Sequence, residues 1–147
     1  MADCKGLERL KRVSWQRGLA VGTHSTFHIV KDSSAGKRYV VKTMFCPSEV
    51  IRRRLESQVE ALMKLRTCPY LMPIQDYATH AMFPGLGNVR KGSQMFVFIE
   101  HMRGWTLRYR LAQRLHPNPH QIYLWLKMIC TALVKLHKRN IVHDNVR

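Results

Sequence analysis

Carboxylates are scarce in this chain. Nine Asp and Glu stand against 25 Lys and Arg, leaving a net charge of +16 and a pI near 10.4. A field of that sign draws phosphate, nucleic acid or anionic lipid without choosing among them. The excess is spread along the sequence, with local groups at 5–17, 52–54 and 103–114, and no nucleic-acid motif accompanies it. Solvated faces are the plain reading, and nucleic acid is an alternative partner. Cysteine is sparse too. Cys4, Cys46, Cys68 and Cys130 lie far apart and form no CxxC pair, so a metal or redox centre is not expected. They read as reduced thiols of a cytoplasmic or nuclear protein. No apolar run is long enough to span a bilayer, and residues 1–12 lack the apolar stretch of a secretory signal. Internal repeats and low-complexity segments are missing. At 46% hydrophobic and 23% charged, the 147 residues suit a folded chain with one core, or one small domain and part of another.

What is present begins with short strand candidates at 15–21 and 27–32, separated by Gly22-Thr-His-Ser-Thr26. A turn at 33–36 leads to a strand over 38–44, and three such strands in succession predict an antiparallel meander. Pro47-Ser48 opens a helix to about Arg66, with Ile51, Leu55, Val59 and Leu62 on one face. A fourth strand is expected over 71–78 and a long surface loop over 79–93. Then comes Met95-Phe-Val-Phe-Ile99, five apolar residues suited to a strand buried on both faces. Glu100 closes it, Arg103-Gly104 breaks the pattern, and Thr106 caps a short helix through Leu115. A buried strand passing through a glycine link into a helix is how one domain hands over to another.

After a turn at 116–119, residues 121–138 make the strongest helical pattern. Ile122, Trp125, Leu126, Ile129, Leu133 and Leu136 form its apolar face, broadened by Leu124, Met128 and Ala132. Such girth predicts partners on several sides, including self-association. His116 with His120, and His24 with His28, have metal-like spacing but no further ligands, so no metal site is expected.

The strand-to-helix passage at 95–111 resembles the hinge of a protein kinase. Other residues carry the same resemblance in the same order. Lys42 follows the apolar triplet Tyr39-Val40-Val41 and precedes a helix, as the family's phosphate-pairing Lys does. An ordinary solvent-facing strand Lys is the alternative. The family's Gly-x-Gly-x-x-Gly-x-Val loop, aligned on Val30, puts Thr23, Ser25 and His28 in the glycine positions, with Gly22 one place off. Glycine matters there because side chains obstruct the approach of phosphates. The Glu that should pair with the Lys falls, by ungapped counting, at Val59; Glu60 is adjacent and about 100° round the helix. Glu56 would need a larger shift. The ending Ile141-Val-His143-Asp144-Asn145-Val-Arg147 resembles the approach to the catalytic loop, with Asn145 in the slot of the catalytic Asp. Asp144 takes that role only if the frame slides. An amide cannot act as the base.

The resemblance covers about residues 15–147, the first half of a kinase domain. It implies an α+β fold: a kinase-like small lobe of five antiparallel strands and one helix at 15–102, after an extension at 1–14. A truncated helical large lobe follows at 103–147. Val30, Lys42, Glu60, Ile99 in the gatekeeper slot, Glu100 and Met102 are the expected nucleotide contacts. No Asp-Phe-Gly segment occurs in these residues, so no Mg²⁺ site is expected. The expected function is a pseudokinase-like or truncated Ser/Thr-type module, inactive as it stands, with weak ATP binding at most and acting through protein contacts. The alternatives are a fragment of an active ATP-dependent Ser/Thr kinase and a basic nucleic-acid-binding protein.

Overall fold

Five apolar residues in succession cannot all face one side of a strand, so Met95–Ile99 needs cover above and below. The computed structural model describes residues 4–22, 25–79 and 92–143. Its elements, in chain order, are α1 (Cys4–Arg12), β1 (Val13–Val21), β2 (Ser25–Asp32), β3 (Arg38–Cys46) and α2 (Glu49–Met63). They continue with β4 (Ile74–Thr79), β5 (Ser93–Glu100), α3 (Leu107–Ala112) and α4 (Pro119–His137). The strands make one antiparallel sheet in the order β1-β2-β3-β5-β4. The fold is α+β, and the meander expected for the first three strands is present. The chain divides into two compact units, one of residues 1–66 with 72–101, the other of 67–71 with 102–147.

In the first unit β5 lies between β3 and β4, and its side chains alternate between two cores. Phe96 and Phe98 pack with Val30, Tyr39, Val41 and Ala78 on one face. Met95, Val97 and Ile99 pack with Cys46, Ile74, Val40 and Met44 on the other. The second face is covered by α2 through Leu55, Val59 and Leu62, the apolar stripe visible in its sequence. Ser48 caps that helix, its side chain accepting from the Ile51 amide.

The cover over Phe96 and Phe98 comes from α1, inside the segment that the sequence marks only as a charged extension. Leu10 is 2% exposed and belongs to this core with Val13. Arg9 lies over the rings of Tyr39 (5.3 Å) and Phe98 (5.7 Å), with Asp76 3.4 Å from its guanidinium. Gly6 lets the helix approach β4: a Cβ there would stand 1.8 Å from the Tyr77 carbonyl oxygen. Nine residues fall short of the window over which helical periodicity is read, so the segment reads as a charged extension.

The fourth strand begins at Ile74 instead of Leu71. Tyr70 has φ 67°, the Leu71 amide turns back to the Cys68 carbonyl (3.5 Å), and Pro73 has no N–H to give a ladder. Between β2 and β3, Asp32 holds the turn. Its carboxylate accepts from the Ser34 amide (2.9 Å), the Ser34 hydroxyl (2.7 Å) and the Ala35 amide (3.2 Å). Those bonds, the Ser34 hydroxyl first, hold the Asp32 carboxyl below its ordinary pKa. Gly36, at φ 65°, closes the turn.

In the second unit, Thr106 caps α3 by accepting from the Tyr109 amide (3.2 Å). The helix stops at Ala112, three residues short of the expected Leu115, and Arg114, at φ 57°, takes the backbone out of the helical region. Asn118 and Gln121 form a reciprocal capping box that starts α4 two residues earlier than the apolar pattern does. No described helix is long and apolar enough to cross a membrane.

Candidate functional site

Directly opposed residues of antiparallel neighbours share a face of the sheet, so register decides which side chains can meet one ligand. Lys42 lies between Val40 and Met44 on β3 and therefore points to the α2 side with them. Two rows cross the sheet on that side. One runs Ile29–Val40–Ile99–Ile74, the next Phe27–Lys42–Val97–Tyr77. Lys42 and Ile99, joined in the expected set, do occupy adjacent rows of one face.

The Lys42 ammonium sits 5.7 Å from the centre of the Phe27 ring. Among the described residues it pairs with no carboxylate. Glu60 is engaged elsewhere: its carboxylate accepts from the Tyr77 hydroxyl at 2.6 Å. Tyr77 lies two strands from Lys42 in the same row, about 10 Å at normal strand spacing. Glu60 is thereby held over β4, away from β3. Tyr77 carried no signal in the sequence, because its role depends on a contact between α2 and a strand 17 residues later.

Val30 requires a correction. It is fully buried and opposes Tyr39, on the face covered by α1, so it cannot touch a ligand that Lys42 touches. Ile29 holds the β2 position on the Lys42 side. Two adjacent apolar residues leave the facing of a strand undecided, and the hairpin register that pairs Lys31 with Arg38 decides it. Of the other loop positions, Ser25 faces the Lys42 side, opposite Met44. His28 faces the other way, edge-on to Trp15 at 5.2 Å. Thr23 and His24 lie outside the described residues.

At the end of β5, Glu100 is exposed, and its amide donates to the Pro73 carbonyl (3.2 Å). That N–H is committed within the protein. Met102 belongs to the second unit and is 62% exposed. Asn145 and Asp144 lie outside the described residues. No three His, Cys, Asp or Glu side chains among the described residues gather as a metal site. Cys46, Cys68 and Cys130 are free thiols, and burial pushes the Cys46 thiol upward.

The basic run at 52–54 is largely spent on α2 itself. Arg52 reaches both Glu49 and Glu56 (2.5 Å to the latter), and Arg53 reaches Glu49 at 2.9 Å. The Arg52 and Arg53 hydrogen bonds lower the Glu49 carboxyl to about 2. The described residues of the second unit contain no Asp or Glu. Its exposed side chains include Trp105, stacked on Tyr109 at 4.3 Å, and much of α4.

No protein-family model and no curated protein matches the chain.

Proposed function

We propose that the chain is a protein-kinase-like module without catalytic activity, which binds ATP weakly at most and acts through protein contacts. The observation that carries this reading is Lys42 in the middle strand of a five-stranded antiparallel sheet, on the side covered by α2 and one row from Ile99. Counting the loop motif from Ile29, the residue that shares this face, brings Gly22 to the first glycine position. His24 and Phe27 then fall at the other two. Both are bulky, and Phe27 is the ring beneath the Lys42 ammonium.

The residues present fit tightly held Mg²⁺-ATP poorly. A phosphate-pairing Lys is ordinarily held by a carboxylate, whereas Lys42 has an aromatic ring and Glu60 has Tyr77. Bulky loop side chains block backbone approach to phosphate. Asn145, an amide in the slot of the base, removes proton acceptance from the substrate hydroxyl. Incubation of the full chain with labelled ATP, Mg²⁺ and a generic basic protein substrate is expected to give no transfer above a protein-free blank. Transfer that disappears in Lys42→Ala would overturn the reading in favour of an active enzyme.

A further inference from the structure

The surface left open by α4 has a shape and a charge that select one kind of occupant. The helix turns Trp125, Ala132 and Leu136 inward within its unit; Ala132 and Leu136 are buried, and Arg110 covers the Trp125 ring at 5.5 Å. Ile122, Leu126 and Ile129 remain 44%, 56% and 46% exposed. Their i, i+4, i+7 spacing makes a continuous ridge, about 10 Å along the helix axis. Tyr123 and Val134, both exposed, widen it on one side. Such a ridge fits the groove between side-chain rows of a second helix.

Charge decides which helix. Between His101 and His143 there are eight lysines and arginines and no carboxylate. A second copy of the chain would bring the same excess of positive charge to the same ridge, and like charges across an interface oppose association. A polynucleotide would satisfy the cations but leave Ile122, Leu126 and Ile129 without an apolar partner. An amphipathic helix with aliphatic residues on one face and Asp or Glu beside them satisfies both. We infer that the Ile122–Leu126–Ile129 ridge of α4 docks an acidic amphipathic helix of another protein. The inference rests on the reading that the chain acts through protein contacts, and it names the chemistry of the contact.

The test uses the full chain and a fluorescein-labelled synthetic helix in which leucines recur at every third and fourth residue among glutamates. A scrambled isomer of equal charge is the control, and anisotropy is the readout. Saturable binding is expected for the patterned peptide, weakened about tenfold or more by Leu126→Asp and separately by Ile129→Asp. Both sites are exposed, and unchanged far-ultraviolet dichroism verifies that each variant folds. Equal binding of the scrambled isomer would reduce the site to unspecific charge and overturn the inference. So would absence of binding, or binding that neither substitution changes. Leu126-dependent capture of the chain by phosphatidylserine vesicles, with no peptide binding, would replace the protein helix by a membrane surface. Leu126-dependent dimers in sedimentation would replace it by a second copy. Peptide failure with phosphoryl transfer still absent refutes only this partner. Transfer of phosphate refutes the inactive-module reading and leaves the peptide result standing.

Discussion

The two units of this chain treat charge and burial in opposite ways. In the first, β5 is covered on both faces, and the described carboxylates have partners. Asp32 holds a turn, Glu49 and Glu56 hold Arg52, Glu60 holds Tyr77, and Asp76 faces Arg9. In the second, only Ala132 and Leu136 among the described residues are buried, and the described residues include no Asp or Glu. The lesson is that net charge and mean composition, averaged over 147 residues, conceal where the surplus lies. A saturated unit has its chemistry fixed inside itself. An unsaturated one has its chemistry on the surface.

Substitutions that break this contrast should differ steeply in effect. Phe98→Ala removes a fully buried ring from the core under α1. It is expected to cost about 4 kcal/mol in urea unfolding followed by circular dichroism. Gly6→Ala forces a methyl onto the Tyr77 carbonyl, 1.8 Å away, and is expected to cost about 2–3 kcal/mol by undocking α1. Faster amide exchange confined to α1 and β4 would locate that loss.

Asp32→Asn is expected to cost about 1 kcal/mol at neutral pH. Because the folded pKa of Asp32 lies below the unfolded one, its contribution is present above the unfolded pKa and fades as pH falls through the folded value. The gap between Asp32→Asn and the parent should therefore narrow below about pH 4. A gap that stays constant down to pH 2 would mean that the carboxylate charge adds nothing to the turn. Leu126→Asp, on the open ridge, should change stability by less than about 0.5 kcal/mol. A loss as large as that of Phe98→Ala would make the ridge a core and erase the contrast.

Much of this fold can be read from the residues alone. The strand at 95–99, the α2 stripe and the α4 pattern stand out because their apolar periodicity is strong and local. Lys42 is legible with them, since alternation around it is fixed by Val40 and Met44. Other features depend on pairing between distant segments. Ile29 and Val30 are equally apolar, so only the hairpin register tells which one shares the Lys42 face. Glu60 looks available on the polar side of α2 until Tyr77, from β4, takes it. The α1 helix hides among charged residues because one of its cations, Arg9, packs on aromatic rings instead of facing solvent. Half a site was therefore visible as residue types, and its wiring was not.

On the proposed reading, Lys42 marks a nucleotide-facing surface that lacks the means to grip and transfer phosphate. Thermal unfolding of the chain with and without millimolar Mg²⁺-ATP, repeated on Lys42→Ala, tests it most directly. A rise in Tm of about 2 °C or less is expected in the parent chain and none in the variant. A rise of about 6 °C or more that depends on Lys42 would contradict it, because the Phe27 ring and the Tyr77-bound Glu60 would then be no obstacle to firm ATP binding.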